Sequence, residues 1–168
     1  MPPWTVCYRR RLALARYRRT SGVDGPISSP SGDSIVLPMK AQFNIGNTPE
    51  EIYQGGMEFY STMLHEMTHS TMTPERLNRE MGGRFGDPKY AKEELVAELT
   101  AAMISHSMGF DGKVTDNSAA YLDSWIGVLK KEPKFIVSVM ADVNKASDLI
   151  LDMWTSNDWP SVSNRTLP

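Results

Sequence analysis

Residues 64–70 read "LHEMTHS". This stretch places His65 and His69 four residues apart, with Glu66 directly after the first histidine. Residues four apart on an α-helix project from the same face, so both imidazoles can reach one metal ion. Glu66 points about 100° around the helix from His65, which suits a base that holds a water molecule beside the metal. The motif therefore predicts a site for metal-assisted amide hydrolysis.

The residues before the motif predict the helix on which it depends. Thr48 is placed as an N-cap, Pro49 occupies the first helical position, and Glu51 completes a capping box. Apolar residues then recur at a spacing of three to four until about Ser70. Two ordinary histidines on an ordinary helix are the alternative interpretation, and the capped amphipathic context favours the metal site.

A second predicted helix, residues 88–108, supplies candidates for a third ligand. Glu94 and Glu98 lie one turn apart on its largely apolar side, where a carboxylate is costly to bury unless it binds something. We predict Glu94 as the third metal ligand. Glu98 is predicted to accept the other N–H of a ligand histidine, which would orient the ring.

Two alternatives for these acidic groups remain open at the level of sequence. Glu93 competes with Glu94 for the ligand role, but it points about 100° away and stands next to Lys89 and Lys92, so it is predicted to face water. A solvated face for all three glutamates is the other alternative. His106 lies about 18 Å along the helix from Glu94 and is predicted to be a polar boundary residue and a poor ligand.

The remaining patterns predict an α+β fold that is mainly α. Two short apolar runs, 35–37 and 41–45, are expected to form edge strands of a small N-terminal β element, with Pro38 confining the first to an edge. Two further C-terminal helices are expected at about 117–131 and 134–154. The expected domain is residues 34–155.

Charge and composition describe the two ends of the chain. Residues 1–33 are predicted to be a poorly ordered basic tail and linker, and residues 156–168 an irregular tail. The arginine-rich start either meets nucleic acid phosphates or is a solvated tail.

The single cysteine, Cys7, excludes an internal disulfide framework and a cysteine-built zinc site, and it fits a cytoplasmic protein. No apolar run is long enough to cross a membrane.

The residues also carry a family resemblance. The stretch "FYSTMLHEMTHSTMTPERLNREMGGRFGDPKYAKEELVAELTAAM", continuing into "NSAAYLDSWIGVLKKEP", resembles the zincin-like metallopeptidase domain at the C-terminal end of ArdC-type antirestriction proteins and of related conjugative-plasmid primases. The resemblance covers about residues 34–152. It implies a zincin-like metallopeptidase fold in which Zn²⁺ is bound by His65, His69 and a glutamate of "EELVAEL", taken as Glu94, with Glu66 as general base.

The resemblance has two departures. The family's upstream single-strand DNA-binding domain is not expected here, because only residues 1–33 precede the match, and DNA binding is therefore not carried over. Met72 stands where family members often have glycine. A bulkier side chain just after the second histidine is expected to alter the substrate cleft.

The expected function is a zinc-dependent metallopeptidase linked to mobile-element antirestriction or DNA processing. Metal-activated water attacks a peptide bond of a peptide or protein substrate, and Glu66 moves the proton. Tyr121 and Tyr90 are candidate oxyanion donors, with packing roles as the alternative. The alternative function is a non-catalytic antirestriction or DNA-processing accessory protein with a structural metal site. A helical interaction module without metal is a third interpretation, and it leaves the buried carboxylates unexplained.

Overall fold

The structure is a computed structural model, and it describes residues 16–20, 27–29, 34–43, 46–80, 88–109, 125–126, 130 and 133–155. In this part of the chain a small sheet precedes three long helices. The strands are β1 (Arg16–Thr20), β2 (Ile27–Ser29) and β3 (Ser34–Pro38), and the helices are α1 (Pro49–Ser70), α2 (Pro88–Ser107) and α3 (Phe135–Thr155). The predicted fold class, α+β and mainly α, is confirmed.

The sheet has the order β1-β3-β2, so β3 is its central strand. It pairs with β1 in parallel and with β2 in the antiparallel direction. The prediction that Pro38 confines this strand to an edge is wrong. Pro38 is the last residue of β3, paired with Thr20, so its missing N–H ends the ladder instead of interrupting it.

Two of the strands lie within the stretch that was predicted to be tail and linker. β1 consists of the residues "RYRRT" and β2 of "ISS", both before residue 34. The arginine-rich start was interpreted either as an arm for nucleic acid phosphates or as a solvated tail, and neither interpretation includes a strand. Pairing with the apolar strand β3 is a long-range contact that such a local pattern does not encode. The predicted boundaries of the domain and of the C-terminal tail stay predictions.

The second predicted strand is a short 3₁₀ helix over Lys40–Phe43. The prediction of a strand is wrong for residues 41–43, and residues 44–45 lie outside the described part of the chain. A local turn replaces the strand: the backbone N–H of Gln42 donates to the carbonyl of Met39 over 2.8 Å, and the Gln42 side chain accepts from the Met39 N–H over 2.7 Å. Such local hydrogen bonds compete with a ladder.

α1 begins where the sequence predicts. The N–H of Glu51 donates to the Thr48 hydroxyl oxygen over 3.2 Å, and the N–H of Thr48 donates to the Glu51 carboxylate over 3.0 Å, which completes the capping box. One face of the helix packs on the sheet, where Phe59 contacts the buried Ile35 and Leu37 of β3. This packing fixes the rotation of α1 and hence the direction in which its last two turns point.

α2 packs against both other helices. One buried cluster joins α1, α2 and α3 through Leu64, Ala101, Ile104 and Ile150. Another joins α2 and α3 and includes Trp125, whose ring stacks on Phe135 with centroids 5.8 Å apart. α2 ends at Ser107, and Gly109 just beyond it adopts a φ of +77°, the left-handed conformation in which glycine commonly terminates a helix.

The C-terminal helices were predicted at 117–131 and 134–154. α3 confirms the second, while most of the first lies outside the described residues, which include helical positions only at 125, 126 and 130. Within the described ranges, no helix is both long enough and apolar enough to span a membrane.

Candidate metal centre

The last two turns of α1 bring two imidazole rings together. The Nε2 atoms of His65 and His69 lie 3.0 Å apart, and the rings meet edge to face with centroids separated by 4.7 Å. His69 is buried and His65 is partly buried. The four-residue spacing, one turn of helix, is the cause of this proximity, as the sequence predicts.

α2 brings Glu94 to the same point. Its Oε2 lies 3.6 Å from Nε2 of His65, and its Oε1 lies 3.5 Å from Nε2 of His69. Each of the three residues offers a possible ligand atom, and these atoms all lie within 4.8 Å of one another. Ligand atoms around a tetrahedral ion with bonds of about 2.0–2.1 Å are themselves about 3.3 Å apart. The donor set of two imidazole nitrogens and one carboxylate oxygen therefore fits a divalent cation.

A second carboxylate stands behind each ring. Nδ1 of His65 lies 3.3 Å from Oε1 of Glu98, and Nδ1 of His69 lies 3.3 Å from Oε1 of Glu93. Glu98 thus lies within hydrogen-bonding distance of His65, and its role in orienting a ligand histidine stays a prediction. The prediction that Glu93 faces water is wrong, because Glu93 is only 5% exposed and Arg79 neutralises it.

These contacts determine which histidine nitrogens point into the centre. An ionised carboxylate can only accept hydrogen bonds, so each Nδ1 must carry the proton that it donates. Nε2 of each neutral ring then presents a lone pair. Two lone pairs 3.0 Å apart repel one another unless a cation or an additional proton lies between them. The metal-free arrangement of His65 and His69 is therefore well suited to hold a positive charge.

The pKa of His65 also indicates that the surroundings of the two imidazoles favour a positive charge. Burial by itself lowers this pKa, but the hydrogen bond to Glu98 and the negative charges of Glu98, Glu66 and Glu94 outweigh burial, so the pKa is raised above its ordinary value. A cation bound between the imidazoles would meet the same carboxylates. The acidic surroundings therefore favour metal binding as well as protonation.

Sequence reasoning missed the role of Arg79. Its Nε donates to Oε2 of Glu93 over 2.8 Å, and its Nη2 donates to Oε1 over 2.6 Å, a two-pronged ion pair in which both side chains are buried. Burial raises the pKa of Glu93, but the hydrogen bonds from Arg79 and His69 outweigh it and hold this pKa below its ordinary value. The available signal was an arginine in the turn directly after the histidine motif.

Comparison with known proteins identifies the family. A sequence model of zincin-like metallopeptidases matches residues 16–142, most of the chain. The chain belongs to the zincin-like metallopeptidase family. This zincin-like domain is 38% identical over 122 residues to the DNA primase TraC of Escherichia coli, a match that covers 73% of the chain and 10% of the primase.

Two solved structures share the fold of the zincin-like domain. The Mn(II)-bound crystal structure of the antirestriction protein ArdC from plasmid R388 superposes with a TM-score of 0.64 at 32% identity, and covers 84% of this chain and 48% of ArdC. The metal-free ArdC structure gives 0.61 at 34% identity, covering 82% of this chain and 46% of ArdC. The chain thus spans about half the length of ArdC and about a tenth of the primase.

The other predicted site residues of the zincin-like domain differ in burial and position. Glu66 is buried at 6% exposure on the helix that carries both histidines, and among the described residues it makes no hydrogen bond or ion pair. Tyr121 lies outside the described residues and stays a prediction. Tyr90 is half-buried near the start of α2, and His106 is exposed in its last turn. His106 is not among the described residues that could hold the metal.

Proposed function

We propose that the zincin-like domain binds a divalent cation through His65, His69 and Glu94 and hydrolyses peptide bonds. The observation that supports this proposal most is the convergence of these three side chains: the two Nε2 atoms lie 3.0 Å apart, Oε1 of Glu94 lies 3.5 Å from Nε2 of His69, and Oε2 of Glu94 lies 3.6 Å from Nε2 of His65. Three separate side chains from two helices converge on this point. Carboxylates behind both imidazoles orient them toward it.

The chain's own groups have distinct parts in the proposed reaction. When bound, the cation would polarise a substrate carbonyl and lower the pKa of a coordinated water. Glu66 would accept a proton from the attacking water and deliver it to the leaving amine. Its carboxylate has no hydrogen bond or ion pair within the described part of the chain, so it is free of competing donors there. Glu93 and Glu98 would hold the imidazoles in place.

We propose zinc as the ion, because two imidazoles and one carboxylate are a frequent ligand set of catalytic zinc. The related ArdC was crystallised with Mn(II), so both ions belong in the test. Purified protein is stripped with chelator, offered Zn(II) or Mn(II), and assayed for bound metal. One ion per chain is expected, and it should be lost in His65→Ala. His106→Ala is the matched control, and full metal retention in the double variant His65→Ala/His69→Ala contradicts the proposal.

Hydrolysis is tested separately from metal binding. Glu66→Gln keeps the shape of the side chain but removes the base, so cleavage of a pool of unstructured fluorogenic peptides should fall by about 10²–10⁴-fold while the metal stays bound. Glu50→Gln, an exposed change in the first turn of α1, is the control. Equal cleavage by the wild type and Glu66→Gln contradicts the catalytic part of the proposal.

The names of the relatives favour a second candidate function. They include an antirestriction protein and a DNA primase, so a non-catalytic accessory role in antirestriction or DNA processing, with a structural metal, is the alternative. Glu66→Gln also distinguishes the two functions. If the metal-loaded variant protects incoming plasmid DNA from restriction as well as the wild type does, the domain acts by binding and not by hydrolysis.

A further inference from the structure

Arg79 connects the end of the histidine helix to the helix that carries Glu94. Besides its two bonds to Glu93, its Nη1 donates to the Thr71 hydroxyl oxygen over 2.7 Å, and its Nη2 donates to the carbonyl of Thr68 over 2.9 Å. Its side chain is only 7% exposed. One guanidinium thus binds the last turn of α1, the turn that follows it, and Glu93 on α2.

The turn that carries Arg79 is itself fixed by backbone hydrogen bonds. The Arg79 N–H donates to the carbonyl of Met72, and the Leu77 N–H donates to the carbonyl of Thr71, each over 3.0 Å. Asn78 adopts a φ of +47°, the left-handed conformation that a non-glycine residue rarely takes. The backbone therefore holds Arg79 in one place beside Glu93. The turn consequently loses little conformational freedom when the guanidinium binds Glu93.

Glu93 passes this constraint on to His69. Its Oε1 receives Nη2 of Arg79 and also lies 3.3 Å from Nδ1 of His69. These are the only hydrogen-bond partners of Glu93 among the described residues. Since the carboxylate only accepts, Nδ1 of His69 must donate, and Nε2 is then the nitrogen that faces Glu94.

We propose that Arg79 is a positioning residue of the metal centre, which acts through Glu93 to hold His69 in the Nδ1–H tautomer with Nε2 directed at the cation site. The inference rests on the proposed function, because it requires His69 to be a ligand. Loss of a group that orients a ligand histidine commonly lowers metal affinity by about 10–100-fold. If Arg79 only held the two helices together, its loss would lower the free energy of unfolding and leave the tautomer of His69 unchanged.

The double variant Arg79→Met/Glu93→Gln separates the effect of geometry on metal affinity from the effect of charge. The Arg79–Glu93 pair has no net charge, so the double variant Arg79→Met/Glu93→Gln leaves the net charge around the histidines as it was. An effect of the double variant on metal affinity therefore reports on geometry. It also shows whether Arg79 acts through Glu93, since the two single losses should then not add.

The first experiment measures two properties of Arg79→Met. In the metal-free protein, the ¹⁵N shifts of the His69 ring report the tautomer, and the Nδ1–H form is expected to give way to a mixture. Competition with a fluorescent chelator reports Zn(II) affinity, which is expected to fall by at least about tenfold. Arg76→Met is the matched control: Arg76 leaves the same turn and donates to the carbonyl of Ser70 over 2.6 Å, but does not bind Glu93. It should leave both properties unchanged.

The second experiment completes the cycle with Glu93→Gln and the double variant. The double variant should bind Zn(II) no more weakly than the weaker of the two single variants. If Arg79→Met does not fold, Arg79→Lys replaces it, because a lysine keeps the charge but cannot form the two-pronged contact. Its Zn(II) affinity is expected to fall, with the metal-free fold retained by circular dichroism.

The outcomes separate this inference from the proposed function. A folded Arg79→Met or Arg79→Lys with the wild-type tautomer and wild-type Zn(II) affinity overturns the inference and leaves the metal site intact. Additive losses in the cycle also overturn it, since Arg79 would then act by another route. If the wild type itself binds no metal, the proposed function fails. The tautomer of His69 in the metal-free protein still decides whether Arg79 positions the ring.

Discussion

At the scale of single residues, the centre is built from histidines that are held from behind. His65 faces Glu98 and His69 faces Glu93, both through Nδ1 at 3.3 Å. Holding a ring on one side fixes the direction of the nitrogen on the other side. The two holding groups differ in their surroundings, because the Glu98 side chain is 37% exposed and that of Glu93 is 6% exposed. We therefore expect the two to respond differently to pH and to substitution.

The pKa of His65 should depend on Glu98. Glu98→Gln removes a charge and weakens a hydrogen bond that favour the protonated ring, so the pKa of His65 in the metal-free protein should fall. A raised pKa means that His65 adds stability at low pH and that this contribution is lost as the pH rises through the pKa of the folded chain. NMR titration measures the pKa. Glu75→Gln, exposed in the turn after α1, should leave it unchanged.

A fall in the His65 pKa in the control Glu75→Gln, or an unchanged His65 pKa in Glu98→Gln, would show that Glu98 is not the carboxylate that sets this pKa. The pKa of His65 also predicts how metal affinity changes with pH. A proton and a cation compete for Nε2 of His65, so metal affinity should increase as the pH rises through the pKa of His65.

The Arg79–Glu93 pair should stabilise the fold only when Glu93 is ionised. Breaking a buried ion pair costs about 3–5 kcal/mol, so Arg79→Met should lower the free energy of unfolding by about that amount near neutral pH. The pKa of Glu93 in the fold lies below its ordinary value of 4.5. The stabilisation is therefore full above about pH 4.5 and is lost as the pH falls through the lower pKa of the folded chain.

Denaturant unfolding of the metal-free protein across this pH range measures the effect. The difference between the wild type and Arg79→Met should shrink as the solution becomes more acidic. A difference that is the same at acidic and neutral pH would mean that Arg79 stabilises the fold through Thr68 and Thr71 and not through Glu93.

At the scale of elements, the turn that follows α1 contacts both helices of the centre through Arg79. The helices carry the three proposed ligands, and the turn carries Arg79, which binds Glu93 behind His69. The C-terminal end of α1 is tied into this turn, since the carbonyl of Thr68 accepts from Arg79 and the carbonyl of Ser70 from Arg76. Unsatisfied carbonyls at a helix end require such partners. Both arginines therefore close the helix, and Arg79 also reaches Glu93 behind His69.

Asn78 tests the contribution of this turn. Its left-handed conformation costs a typical residue about 1–2 kcal/mol, and asparagine tolerates it better than alanine does. Asn78→Ala should lower the free energy of unfolding by about 1 kcal/mol. Asn78→Gly is the matched variant, because glycine adopts this φ without strain, and it should stay close to the wild type. Denaturant unfolding measures both, and equal losses in the two variants would exclude backbone strain as the cause.

At the scale of the whole molecule, the proposed metal site lies across the contact between α1 and α2. A cation bound by His65, His69 and Glu94 would join the two helices, and the buried cluster around Leu64 and Ile104 already holds them together. Binding to the folded chain alone stabilises it in proportion to the logarithm of the ion concentration over its Kd. The site should therefore behave as a conditional cross-link between the helices.

Metal removal should accordingly lower the melting temperature. At an ion concentration about 100 times the Kd, the stabilisation is about 2.7 kcal/mol, and chelator should abolish it. Differential scanning calorimetry of the loaded and stripped protein measures the shift. In Glu94→Ala the metal-dependent part of the shift should disappear, whereas Glu75→Ala should keep it. A melting temperature of the wild type that does not respond to Zn(II) or Mn(II) would contradict a site formed by the folded chain.

The features that could be predicted from the sequence are those that depend on local spacing. The capping box at Thr48 and Glu51 sets the start of α1, and the four-residue spacing of His65 and His69 puts both rings on one face, because both features arise within a few residues of chain. The resemblance to ArdC-type domains also followed from residue order alone, and the family match confirms it.

The partners of the two adjacent glutamates, in contrast, depend on how the helices pack in the folded chain. Glu93 and Glu94 point in directions about 100° apart on α2, and the choice depends on how that helix is rotated when it packs against α1. Packing turned Glu94 toward the pair of Nε2 atoms and buried Glu93 against Arg79. Neighbouring lysines in the sequence suggested water for Glu93, because local charge carries no information about an arginine from another element. Strand β1 was missed for a related reason, since its partner β3 is distant in sequence: Arg16 pairs with Ser34.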